Sequence, residues 1–373
     1  MRHEVIIVGA GVLGCALADE LTRRGAAVTL VDAAEAGSGT SAATFAWINS
    51  NNKTPESYRR LNVLGIEAHE RAARTRGGQR WFHQSGTVQL AHTPEQMDAL
   101  RQKVGRFVDD DYAAELLTPA EVLELEPSLS AHGLVGGARY AREGWIDVPT
   151  MCLTLLQRAV AAGAVFLPHH RVDDVRAGQV VTSRRDLRAD TVILAAGNGS
   201  RAILGRDGID FPIVDPTTNV GSIGTPRASV GIISTTAPVD AGITHMVRAD
   251  GIALRPARNG GITYADHPTG GEWEVDDPRI WTVPALLLDR VRQLFPALKD
   301  TPTQTVSLGT RVLPVDGLTI ADWVDPERRT YAVATHSGVT LAAHLAEVVA
   351  QEVLTGRRDE SLSDFGLSRF AKA

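Results

Sequence analysis

His3-Glu-Val-Ile-Ile-Val-Gly9-Ala-Gly11-Val-Leu-Gly14-Cys-Ala-Leu-Ala18, followed by Ala27-Val-Thr-Leu-Val-Asp32, is the stretch that decides the fold. Val5 to Val8 form a continuous apolar run, as a parallel strand covered on both faces requires. Gly9 permits a tight turn, Gly11 lets the main chain approach a pyrophosphate, and Gly14 lets the next helix pack on the strand. That helix opens at Val12 and Leu13, where N–H groups and the positive dipole end favour phosphate. Asp32 ends a second apolar strand, where its carboxylate can accept hydrogen bonds from ribose hydroxyls. Strand, glycine turn, helix, second strand and acidic end together mark a dinucleotide site made of Gly9, Gly11, Val12, Leu13, Gly14 and Asp32. The pattern alone does not choose between NAD and FAD.

Size and composition narrow the class. A chain of 373 residues can build two or more domain-sized cores. Its 43% hydrophobic and 22% charged content is that of an ordinary globular protein. A formal charge of −6, with no basic run, argues against nucleic acid as a partner. Basic residues are mostly arginine; the lysines are Lys53, Lys103, Lys299 and Lys372. Cys15 and Cys152 fall in helical segments far apart in sequence, and Cys15 reads as a packing residue with no disulfide. No stretch has the apolar length of a membrane span. The first strand begins after three residues, which leaves no room for a signal peptide, so a reducing, cytoplasmic setting is expected.

The α/β style is interrupted twice. Residues 1–78 read as strand, helix, strand, a Gly/Ser/Thr loop and a helix. The segment from Gly86 is strand-like, and helices follow with Thr93-Pro94 and Thr118-Pro-Ala-Glu121 as N-terminal caps. The α/β pattern returns with a helix through Met151–Ala162 and the strand before Ala195-Ala196-Gly197. Residues 211–284 read as strands and turns, with Gly260-Gly261 and Gly270-Gly271 as turn signals. The chain then closes with a strand at Tyr331, His336-Ser337-Gly338 and a helix over 339–354 that ends at Gly356. The expected architecture is an α/β FAD-binding Rossmann-like domain (1–78, 146–207 and 305–373) with an inserted α+β substrate domain (79–145 and 208–304) that contains an antiparallel-rich sheet.

Five segments, in order, carry a family resemblance. They are the glycine fingerprint with Asp32, Gly37-Ser-Gly-Thr40-Ser41, Gly144-Trp-Ile-Asp147-Val-Pro149, Val192-Ile-Leu-Ala195-Ala196-Gly197, and Gly309-Thr-Arg311-Val-Leu-Pro314-Val-Asp316-Gly317 with His336-Ser337-Gly338-Val339-Thr340-Leu341. Together they resemble the FAD-dependent D-amino-acid oxidase superfamily, which includes glycine oxidase, sarcosine oxidase and D-amino-acid dehydrogenase. The resemblance implies FAD as cofactor. It places Thr40 and Ser41 along the pyrophosphate and flavin, Ala196 and Gly197 near the adenosine, and Arg311, Gly338, Val339 and Thr340 beside the flavin. The second segment carries no histidine and the fifth no cysteine, the residues that relatives use for covalent attachment, so non-covalent FAD is expected. No metal is assigned.

The chemistry implied is oxidation of the C–N bond of a small amino or imino acid to an imine, with dioxygen or another electron acceptor. Such a reaction needs alignment more than a strong acid or base. Arg311 is the leading substrate residue, because a planar guanidinium binds a carboxylate through two parallel bonds. His336 and Arg255 are the other catalytic candidates. Asn49, Asn51 and Lys53 are placed near the polar edge of the flavin, while His245, Arg248 and Tyr264 are weaker candidates. The rival readings are a flavin monooxygenase and a non-catalytic electron-transfer subunit. Many monooxygenases carry a Gly-Asp pair where this chain has Thr335-His336-Ser337-Gly338, and a closed pocket with Arg311 directed into it would oppose the second reading.

Overall fold

In the computed structural model the strand Glu4–Val8 lies inside a six-stranded sheet. The strand order is Ile320–Trp323, Thr330–Ala334, Thr191–Leu194, Glu4–Val8, Ala27–Val31 and Val165–Leu167. The structure describes residues 2–107, 112–215, 230–265 and 277–371. Neighbouring strands are parallel except for the edge hairpin of Ile320–Trp323 with Thr330–Ala334.

Alternation along the first strand explains its unbroken apolar run. Val5 and Ile7 join a core with Cys15, Leu17, Leu155, Leu341 and Leu345, contributed by the helices Val12–Arg23, Val148–Ala161 and Gly338–Thr355. Ile6 and Val8 join a second core on the other face, with Val175 and Val180 of a small antiparallel sheet and Ile203 and Leu204 of the helix Gly199–Gly205. Burial on both faces leaves no polar alternate in the strand.

The turn that follows is set by two contacts. Gly9 has φ +102°, and a Cβ there would lie 2.5 Å from the Ala195 carbonyl oxygen. A Cβ on Gly14 would lie 1.8 Å from the Gly9 carbonyl oxygen, so the helix rests directly on the turn. Cys15 and Cys152 are free and buried. They nevertheless meet across two helices: the neighbouring Cys152 sulfur and burial hold the Cys15 thiol well above its ordinary pKa.

An eight-stranded sheet forms the second scaffold. Its order is Thr303–Thr310, Val230–Thr236, Ile262–Ala265, Ile252–Pro256, Met246–Ala249, Thr87–Ala91, Gly136–Tyr140 and Ala114–Leu117. All pairs are antiparallel except Met246–Ala249 with Thr87–Ala91. Ile232, Val247, Leu254 and Tyr264 face the helix Val283–Leu294 through Leu287, Leu288 and Val291. The alternate residues Ile233, Met246, Ala253 and Ala265 face inward onto Phe45, Trp47 and Trp145.

The cap readings agree with the geometry. Thr93 accepts from Gln96 N at 3.2 Å, Thr118 and Glu121 form a reciprocal capping box, and Asp147 caps Val148–Ala161 by accepting from Thr150 N at 3.2 Å. Gly356, at φ +72°, ends the last helix. The Gly260 turn, at φ +81°, joins Ile252–Pro256 to Ile262–Ala265, and the Gly270-Gly271 signal lies outside the described residues. Three very short strands, Trp47–Ile48, Gly144–Ile146 and Phe82–His83, pair into a small sheet that periodicity did not show.

The Gly9–Gly14 contact gives a direct test. Gly14→Ala should destabilise the protein by about 1–3 kcal/mol through overpacking. Gly105→Ala, at a helix position where a Cβ meets open space, should be neutral or slightly stabilising. Equal unfolding midpoints for the two variants would contradict this account of the turn.

Candidate functional site

The carboxyl ends of the parallel strands and the inner face of the eight-stranded sheet enclose a cavity of about 1190 Å³. Gly9, Asp32, Ala196 and Thr335 line it from one side, and Gly231, Ile233, Arg248 and Leu308 from the other. Ligands of open α/β sheets lie in this position, beyond the carboxyl ends of the strands.

The glycine-turn end is suited to an elongated dinucleotide. Ser41 Oγ accepts from Val12 N at 3.0 Å, and a Cβ on Gly11 would meet that hydroxyl at 3.0 Å, so the main chain is laid bare here. Asp32 accepts from Ala10 N at 2.6 Å and from Ala34 N at 2.8 Å, which braces the turn while the carboxylate still lines the cavity. Thr40 Oγ1 donates to the Thr310 carbonyl at 2.7 Å and ties the Gly/Ser loop to the Arg311 segment. Asn198 also lines the cavity and donates to the Thr310 carbonyl at 3.3 Å. Its Oδ1 is buried and has no hydrogen-bond partner among the described residues, a cost that a ligand donor would remove.

The helix Gly338–Thr355 starts at the same cavity, which Gly338, Val339 and Thr340 line. It has no side-chain cap and no acidic residue in its first turn, so its positive end stays available to an anionic group. The hydroxyl of Ser337 accepts from Tyr58 OH at 2.8 Å instead of capping the helix.

Arg311 and His336 meet in this part of the cavity. Arg311 donates through Nη1 to the Val230 carbonyl at 2.7 Å, and its head lies over Gly231, where a Cβ would come within 3.2 Å of Nη2. Burial lowers its pKa to about 10. The His336 imidazole opens onto the cavity with protein around it. Burial, and then the charges of Lys53 and Arg311, lower its pKa to about 3, so it is neutral at pH 7. Lys53 lines the cavity beside it, 5.8 Å over the Tyr58 ring.

The structure separates the remaining candidates. Gly14 does not line the cavity; it acts from below, by letting the helix touch Gly9. Arg255 is on the inner face of its strand but is roofed by rings, 4.5 Å from the Trp145 centroid and 5.6 Å from Phe45. It donates to the Phe45 and Pro256 carbonyls at 2.8 Å, and burial lowers its pKa to about 9. Its place is that of a brace beneath the cavity wall, away from the lining. His245 pairs with Glu126 at 2.8 Å and Tyr264 bonds Thr303 at 2.5 Å, both away from the cavity.

Asn49 lines the cavity, whereas Asn51 is turned into a buried network. Fully buried Glu143 accepts from Asn51 Nδ2 at 2.6 Å, Tyr112 OH at 2.6 Å and Trp47 Nε1 at 3.1 Å. Trp47, fixed in this way, holds its ring 4.6 Å from the Arg248 guanidinium at the cavity wall. Sequence reasoning missed Phe45, Trp47, Tyr58 and Glu143. Only the aromatic pair in Thr44-Phe-Ala-Trp47 could have hinted at a cavity wall.

Comparison with known proteins agrees with this geometry. The family described as FAD dependent oxidoreductase matches residues 4–352. An opine oxidase polypeptide of Agrobacterium tumefaciens (strain Ach5) is 26% identical over 388 residues, covering 98% of this chain and 97% of that protein. Glycine oxidase of Geobacillus kaustophilus (strain HTA426) is 26% identical over 383 residues, covering 99% and 97%. The crystal structure of glycine oxidase from Geobacillus kaustophilus shares the fold, with a TM-score of 0.80 at 22% identity over 99% of each chain.

Lys103, beside this wall, yields a pH test. It donates to Asn52 Oδ1 at 2.5 Å and Gln89 Oε1 at 3.1 Å. Burial, and then Arg248, lower its pKa to about 7. Between pH 7 and the ordinary lysine range the unfolded chain binds the extra proton, so stability should rise with pH there. Chemical denaturation of wild type and Lys103→Met should show the wild type gaining on the variant from pH 7 to 10. A constant difference would contradict the burial of this amine.

Proposed function

Because this chain belongs to the FAD-dependent oxidoreductases, we propose that it oxidises the C–N bond of a small amino or imino acid, with Arg311 holding the substrate carboxylate. The observation that carries this reading is the Arg311 guanidinium at the cavity wall, beside a neutral His336 and the open end of Gly338–Thr355. The named activities of glycine oxidase and opine oxidase support it.

FAD, when bound, takes up the hydride that leaves the substrate α-carbon. Gly9, Gly11, Val12, Leu13, Asp32, Thr40, Ser41, Ala196 and Gly197 would hold its ADP part, and Gly338, Val339 and Thr340 would present the helix end to its ring. The cysteines are buried and neither lines the cavity, which supports non-covalent binding.

The protein's own contribution is electrostatic. Arg311 fixes the carboxylate, and therefore the α-carbon, by paired hydrogen bonds. Arg311 and Lys53 also disfavour the ammonium form of a bound amine, which releases the nitrogen lone pair needed for imine formation. His336, neutral over the working range, can exchange hydrogen bonds without adding to that charge. No strong acid or base is required.

Two experiments test this reading. Acid precipitation should leave FAD in the supernatant, and colour retained in the pellet would overturn non-covalent binding. Anaerobic mixing with D-, L-, N-methyl and cyclic amino acids should bleach the flavin with at least one of them. Arg311→Met should then raise the half-saturating concentration roughly tenfold to a hundredfold, the effect of losing charge-assisted bonds. Failure of the whole panel, or an unchanged concentration dependence, would overturn the proposal.

A further inference from the structure

Arg311 is not the only arginine at the cavity wall. We propose that Arg248 forms a second carboxylate subsite, so that the preferred substrate is an amino acid with two carboxylates separated by an apolar linker. This rests on the reading of Arg311 as the first carboxylate site and goes further by naming the substrate class.

Strand register supplies the geometry. Ile233 pairs with Ala265, Ala265 with Ala253, and Ala253 with Arg248, which puts the four residues in one cross-strand row. Side chains of such a row share a face. Ile233 and Arg248 both line the cavity, so this is its inner face. Gly231, two residues before Ile233 on the same strand, carries the Arg311 head above it. Three strand spacings of about 4.8 Å, or on the order of 14 Å of sheet, therefore lie between the Arg311 head and the strand that carries Arg248. A single carboxylate cannot contact both guanidinium groups across that span unless both arms lean fully inward.

The wall between them is apolar. Ile233, Phe45 and Trp47 line the cavity there, and Ala253 and Ala265 are short enough for the rings to settle on the sheet. Charged ends and an apolar middle match a diacid with methylene groups between its carboxylates, one carboxylate being α to the amine.

Arg248 is also held in place. Its guanidinium stacks 4.6 Å from the Trp47 ring. The indole N–H of Trp47 donates to Thr87 Oγ1 at 3.0 Å and Glu143 Oε2 at 3.1 Å, both on fully buried residues. Stacking on a fixed ring restricts a long side chain before any ligand arrives, which lowers the ordering cost of binding. Nearby Lys103 adds positive charge at low pH, and Glu143 offsets it from behind Trp47.

The test uses the FAD-loaded protein and inert acids, so that binding is read without turnover. Glutarate and butyrate are titrated by the change in flavin absorbance and by thermal shift. Wild type should bind glutarate at least about tenfold more tightly than butyrate. Arg248→Gln should abolish that preference and leave butyrate binding unchanged, whereas Arg248→Lys should keep part of it. Equal affinities in wild type, or a preference that survives in Arg248→Gln, would overturn the subsite. The wild-type comparison decides even if the variants do not fold. Anaerobic bleaching by glutamate against 2-aminobutyrate, and by iminodiacetate against N-methylglycine, separates the two proposals. If diacids bind preferentially but no amine bleaches the flavin, the C–N reading falls and the subsite stands. If amines bleach it with no preference for diacids, the subsite falls alone.

Discussion

The structure depends on one steric constraint: main chain touching main chain at the first turn. Gly9 lies against the Ala195 carbonyl and Gly14 against the Gly9 carbonyl, with no space for a Cβ at either position. Asp32 then ties Ala10 and Ala34 to the end of the second strand. Three parallel strands are thereby drawn together at their carboxyl ends. The helix Val12–Arg23 begins at the cavity because it has nowhere else to start. A looser turn would move that helix end, and with it the phosphate site.

The other end of the cavity is governed by charge. Arg311, Lys53 and Arg248 line it, and His336 is kept neutral by its enclosure. A cavity of this sign attracts carboxylates and disfavours ammonium groups, which is the combination that amino-acid oxidation needs. The rigid walls come from residues that never touch it. Glu143 orients Trp47, and Arg255 braces Phe45 through its carbonyl.

Much of this could be read in the sequence. The apolar run Val5–Val8, the glycine spacing and Asp32 state their geometry locally, and the Arg311 and His336 segments lie on the two elements that meet at the cavity. Caps at Thr93, Thr118 and Asp147 are also local and were legible. What could not be read depends on distant partners. Strand register puts Arg255 and Arg248 on the same sheet, but only the fold shows that Phe45 and Trp145 cover the first and leave the second on the cavity wall. The short strand Trp47–Ile48 has no period to detect. The Glu143 network joins residues some ninety positions apart, and a sequence pattern holds no trace of it.

The central claim is that substrate carbon–hydrogen cleavage occurs beside the amine of an acid held by Arg311. Anaerobic single turnover with an α-deuterated amino acid tests it most directly, using whichever panel member bleaches the flavin fastest. The account predicts slower bleaching than with the protiated compound, together with release of one equivalent of ammonia or amine after hydrolysis. Equal rates with no nitrogen released would contradict it.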